Sequence, residues 1–90
     1  MNKILILTTN GCEACDIAQR NVDIAISEAN IEIQVDIKDW REEDRIFIKE
    51  NKIKDFPTVL YIIDNNIVHK AVGSYPSAVY LRWIDIYFKK

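Results

Sequence analysis

Ile4-Leu5-Ile6-Leu7-Thr8-Thr9-Asn10-Gly11-Cys12-Glu13-Ala14-Cys15 moves from a wholly apolar run to a polar turn and then to two cysteines separated by two residues. Four consecutive apolar residues suit a strand covered on both faces. From Cys12 to Asn30 there is no Gly or Pro, and Ala14, Ala18, Val22, Ala25 and Ala29 recur at near-helical spacing. Ile31, Ile33, Val35 and Ile37 then alternate with Glu32, Gln34 and Asp36, as in a half-exposed strand. A strand, a long helix and a second strand form a crossover unit, so the two strands should run parallel, the first central and the second at an edge.

Working outward, Asp39 with Glu42 three residues on has the form of a capping box, and a second helix is expected from Trp40 to about Asn51. Thr58 to Ile63 is another apolar strand. The turn Asp64-Asn65-Asn66 leads into Ile67 to Val72 with partial alternation, which predicts an antiparallel hairpin. The segment from Tyr75 to Phe88 starts near Pro76 and Ser77 and repeats apolar residues at Val79, Tyr80, Trp83, Ile84, Tyr87 and Phe88, as an amphipathic terminal helix does. The expected fold class is α/β, with element order βαβαββα. Continuous apolar runs belong on inner strands and alternating runs on outer ones, which gives a mixed sheet of order 2-1-3-4.

Ninety residues, 49% of them hydrophobic and with only two Gly and two Pro, fit one small soluble domain spanning 1–90. The formal charge of -2 gives no electrostatic footprint for nucleic acid, and no apolar stretch approaches the roughly 20 residues of a membrane span. The N-terminal apolar run is too short for the core of a secretory signal, so a cytoplasmic location is expected, the alternative being a mature secreted form that has lost one. A monomeric state is also expected. In a reducing compartment two cysteines are more often catalytic or metal-binding than a permanent staple.

A cysteine at a helix start faces amide groups without intrahelical partners and the positive end of the helix dipole, both of which favour thiolate over thiol. With two residues between them, the second sulfur can attack a mixed disulfide formed at the first. Cys12 is therefore expected to attack and Cys15 to resolve. Glu13 and Asp16 place negative charge beside Cys12, so a strongly depressed thiol pKa is not expected, and the pair should act as a reductant rather than a strong oxidant.

The element order, the CxxC after the first strand and Phe56-Pro57-Thr58 entering the third resemble the thioredoxin and glutaredoxin superfamily over almost the whole chain. That resemblance implies a minimal thioredoxin fold and a protein-disulfide reductase acting on disulfide-containing proteins. No bound cofactor is implied, and electrons would come from a thioredoxin reductase or glutathione. It also implies that Pro57 is cis and faces the cysteines, with Phe56 offering backbone groups to a bound segment; the alternative is a trans proline that merely starts a strand. Gly73 is carried over as a close approach of backbone to the site, and Gly11, Ala14, Phe56, Pro57, Gly73 and Tyr75 are expected to rim Cys12. The chain departs from thioredoxins in having Asn10-Gly11 before the first cysteine and Ile6 where they carry a buried acid. It departs from glutaredoxins in reading Gly73-Ser74-Tyr75 at the glutathione-gripping turn. It looks most like the small thioredoxin-like proteins of archaea, bacteria and phages.

Two other classes compete. A closed zinc site needs four ligands, against two cysteines and one histidine here, and copper carriers with a CxxC have the order βαββαβ. A thioredoxin-fold interaction module with an incidental dithiol is the stronger alternative. His69 is expected to be an exposed strand residue without a catalytic role, Trp40 and Trp83 to pack their helices, and Arg41 to Arg45 to form a solvated helix face.

Overall fold

The computed structural model describes residues 1–89. Its elements are β1 (Asn2–Thr8), α1 (Glu13–Ala29), β2 (Gln34–Asp39), a 3-10 turn (Trp40–Glu42), α2 (Arg45–Glu50), β3 (Thr58–Ile63), β4 (Asn66–Val72) and α3 (Ser77–Tyr87). The strands form one sheet of order β2-β1-β3-β4, as the distribution of apolar runs implies. β1 pairs parallel with β2 and antiparallel with β3, and β3 pairs antiparallel with β4. No helix among the described residues is long and apolar enough to cross a membrane.

Because side chains alternate along a strand, β1 feeds two separate cores. Ile4 and Ile6 point to the face covered by α1 and α3, where they join Ala18, Val22, Val59, Tyr61, Tyr80 and Ile84. Leu5 and Leu7 point to the other face and meet Ile53, Leu60 and Ile62, with Phe47 and Ile48 of α2 packed on the outside. The buried stripe of α1 is Cys15, Ala18, Val22, Ala25 and Ala29, so small side chains let this helix lie close to the sheet. Asn30, in the left-handed conformation, ends it.

Three boundaries differ from the sequence reading. Ile31 and Ile33 pack against the α1 side, but strand pairing begins at Lys3↔Gln34, so β2 starts at Gln34 and the earlier residues are apolar coil. The helix expected from Trp40 to Asn51 is divided. Asp39 does form its capping box with Glu42, yet over a single 3-10 turn, after which Asp44 accepts hydrogen bonds from the N–H groups of Ile46 and Phe47 and starts α2 afresh. Two N-caps five residues apart each start a turn of their own, which divides the segment. Arg41 to Arg45 is accordingly a bend rather than one helix face. β4 starts at Asn66 because Asp64 and Asn65 alone make the turn, with φ of 49° and 70°, the positive pair that a two-residue type I′ hairpin requires.

His69 is also a correction. It is half-buried rather than exposed, stacked on Tyr87 at 4.9 Å and tilted against Trp83 at 4.5 Å. A register shift between Tyr61 and Ile62 sets His69 opposite Tyr61 and beneath α3. Its Nε2 is buried without a hydrogen-bond partner among the described residues, and desolvation pushes its pKa below the ordinary value.

Candidate active site

Strand register gathers the chemistry at one end of the sheet. Thr8, the last residue of β1, is paired with Asp39 of β2, while Leu7 is opposite Thr58 and Thr58 is opposite Val72. The loop bearing the cysteines, Trp40, the Phe56-Pro57 turn and Gly73 therefore all leave the sheet at the same edge.

Gly11, with φ of +63°, turns the chain out of β1, a conformation that costs glycine little. Cys12 is the N-cap of α1, one position earlier than a first-turn residue, and its Sγ accepts the Cys15 N–H at 3.0 Å. Cys12 and Cys15 are joined as a disulfide with Cα atoms 5.2 Å apart. Their exposure differs: Cys12 is half-buried at the surface, whereas Cys15 is only 2% exposed on the helix stripe that faces the core. Ile6 is fully buried in the cluster under α1.

The turn before β3 is held at both ends. The Thr58 hydroxyl donates to the Asp55 carbonyl at 2.7 Å, the Gly73 N–H donates to the Pro57 carbonyl at 2.9 Å, and the Phe56–Pro57 peptide bond is cis. Pro57 is buried and Phe56 half-buried. Gly73 has φ of +96°, which favours glycine, and a Cβ there would meet nothing within 4 Å. Two tyrosines carry this geometry back to α3. The Tyr61 hydroxyl donates to the Tyr80 carbonyl at 3.0 Å, and the Tyr80 hydroxyl accepts the Tyr75 N–H at 3.3 Å and donates to the Gly73 carbonyl at 3.4 Å. Burial raises the pKa of both phenols, so they stay neutral donors.

Among the residues expected at the rim, Pro57 and Gly73 are in direct contact, and Gly11 and Ala14 flank the cysteines. Tyr75 is tied inward. Its hydroxyl donates to the Val72 carbonyl at 2.9 Å, its carbonyl accepts from Asn21 Nδ2 at 2.8 Å, and its ring stands edge-on to Trp83 at 5.2 Å.

No protein-family model and no curated protein matches the sequence, whereas solved structures do. Thioredoxin-2 of the malaria parasite, a component of its protein secretion machinery, superposes with a TM-score of 0.80 at 14% identity, over 97% of this chain and 84% of that one. The chain has a thioredoxin fold. A mutant thioredoxin from Halobacterium salinarum gives a TM-score of 0.77 at 17% identity, covering 96% of this chain and 74% of that one. Mitochondrial thioredoxin 3 of Saccharomyces cerevisiae, in its oxidised form, gives 0.67 at 19% identity, over 87% of this chain and 72% of that one. At such identities the likeness establishes the fold.

Sequence reasoning missed one neighbour of the Phe56-Pro57 turn. Trp40, expected to pack a helix, instead stacks on Phe56 with ring centroids 6.1 Å apart and stays 37% exposed. Beside it the Arg41 guanidinium grips both Asp39 carboxylate oxygens at 2.9 and 3.0 Å and holds that carboxyl below its ordinary pKa. The available signal was position: an aromatic directly after the second strand leaves the sheet at the cysteine end.

Proposed function

We propose that this protein reduces disulfides in other proteins by dithiol exchange, with Cys12 attacking and Cys15 resolving. The observation that carries the reading is the unequal placement of the two sulfurs, an accessible helix cap and a core-facing partner one turn on. In the reduced protein, the amide that now reaches Cys12 Sγ would stabilise its thiolate. That thiolate attacks one sulfur of the partner disulfide, forming a mixed disulfide and expelling the other partner sulfur as a thiolate. Cys15 then loses its proton and attacks Cys12 Sγ, which breaks the mixed bond and releases the second partner thiolate. The partner gains two electrons and two protons, and the Cys12–Cys15 bond holds the oxidising equivalents until a thioredoxin reductase or glutathione reduces it.

Gly11, Ala14, Phe56, Pro57, Gly73 and Tyr75 form the docking rim in this reading. The open space beyond Gly73 leaves room for a partner strand. Glu13 and Asp16, both exposed, oppose an unusually stable thiolate. A cytoplasmic monomer with a potential near about −270 mV, rather than about −120 mV, is expected.

Cys12→Ser tests the function. Reduction of insulin disulfides should fall to background, and Cys15→Ser should trap a mixed disulfide through Cys12. A Cys12→Ser protein as active as the parent would sink dithiol chemistry and favour an interaction module.

A further inference from the structure

Next to the Trp40–Phe56 stack lies a groove of about 490 Å³ lined by Trp40, Arg41, Glu43, Arg45, Ile48 and Lys49. Its walls are apolar at Trp40 and Ile48. Of its four charged side chains, Arg41 is engaged by Asp39 and Glu43 by Lys38 at 3.5 Å. Arg45 and Lys49 have no ion-pair partner among the described residues, and both are exposed. One turn apart on α2, they give the groove two positive charges outside any ion pair beside Trp40 and Ile48, while Asp44 and Glu50 line the neighbouring cleft.

We propose that this groove docks an acidic segment of the disulfide-bearing partner, one that sets an apolar side chain against Trp40 and Ile48 and carboxylates against Arg45 and Lys49. The inference rests on the dithiol reading and names its partner class. Trp40 supplies the link between groove and dithiol, because its ring stacks on the residue that precedes Pro57. A segment lying in the groove would run past Phe56 toward the cysteine loop. The charge is local, since the whole chain carries -2 and would by itself favour basic partners. An acidic preference is therefore diagnostic of the groove.

Three synthetic peptides test this, each with one cysteine capped by 2-mercaptoethanol as a disulfide and a leucine flanked by glutamates, glutamines or lysines. Pre-reduced protein should reduce the glutamate peptide about 3- to 10-fold faster than the lysine peptide at low salt, the scale of two exposed ion pairs. The ratio should approach one as salt rises. Fluorescein-labelled serine versions, titrated against the oxidised protein, should bind in the same order. The double variant Arg45→Glu/Lys49→Glu should reverse the glutamate-to-lysine ratio, which is read within each variant so that any general loss cancels. Trp40→Ala should weaken all three peptides alike, with Trp40→Phe restoring them. Equal or reversed binding and reduction in the parent protein would overturn the groove while leaving dithiol reduction standing. Acid-selective binding without reduction of any peptide would support the groove and sink the dithiol reading.

Discussion

The two faces of the sheet are built to different standards. One lies under helices of 17 and 11 residues that pack on each other and on fully buried Ile4, Ile6, Val59 and Tyr61. The other lies under a six-residue helix with no buried residue of its own, and it leaves Ile46 66% exposed. Cooperative stability therefore sits on the first face, whereas the second is free to present side chains. Both aromatics beside the turn into β3, Trp40 and Phe56, belong to the second. Side chains on the thinly covered side can vary without disturbing the core that holds the cysteines in place.

Core truncation gives the strongest test of this division. Ile84→Ala, which empties a fully buried site under α3, should cost about 2–5 kcal/mol in denaturant unfolding. Phe47→Ala on the opposite face should cost only about 1–2 kcal/mol, since a half-buried ring has less area to lose. Its effect should be local, with faster amide exchange confined to α2, and a loss equal to that of Ile84→Ala would erase the distinction between faces. Tyr80→Phe removes one hydroxyl that links α3 to Gly73. We expect about 1 kcal/mol and faster exchange at the Gly73 amide.

Histidine titration gives the smallest effect. The pKa of His69 is depressed in the folded protein, so the unfolded chain takes up its proton first as pH falls. Stability conferred by neutral His69 is complete above about pH 6.5 and declines below it, toward the lower folded value. His69→Phe should flatten stability between about pH 6.5 and 5, above the carboxylate range. An unchanged pH profile would mean that the imidazole is solvated despite its aromatic neighbours.

Strand identity and order were legible because Ile4 to Leu7 and Thr58 to Ile63 are apolar on both faces, which only inner strands need to be. The cysteines were legible because spacing and helix start are both local. Trp40 was not, since its partner Phe56 lies beyond the whole of α2 and no periodicity records a stack between two turns. His69 misled for a related reason. Alternation in β4 reports which residues point one way, but the covering helix comes from the far end of the chain, and the register shift at Tyr61/Ile62 is invisible in the pattern. The divided helix shows a third limit. Asp39 and Asp44 are both good caps and both are used, and that the first starts only a single 3-10 turn is not recorded in the spacing of apolar residues.

The place of β1 in the sheet has a kinetic consequence. It precedes the other seven elements in the chain and is also a central strand, and its antiparallel partner β3 emerges only after α1, β2 and α2 have been made. Until then Ile4 and Ile6 can be shielded by α1, and Leu5 and Leu7 in part by α2 and Ile53, but the edge of β1 that pairs with β3 has nothing to cover it. A nascent chain halted before Thr58 would carry that sticky strand exposed, so ribosomal pausing in the segment ahead of β3 should be where the protein most needs a chaperone.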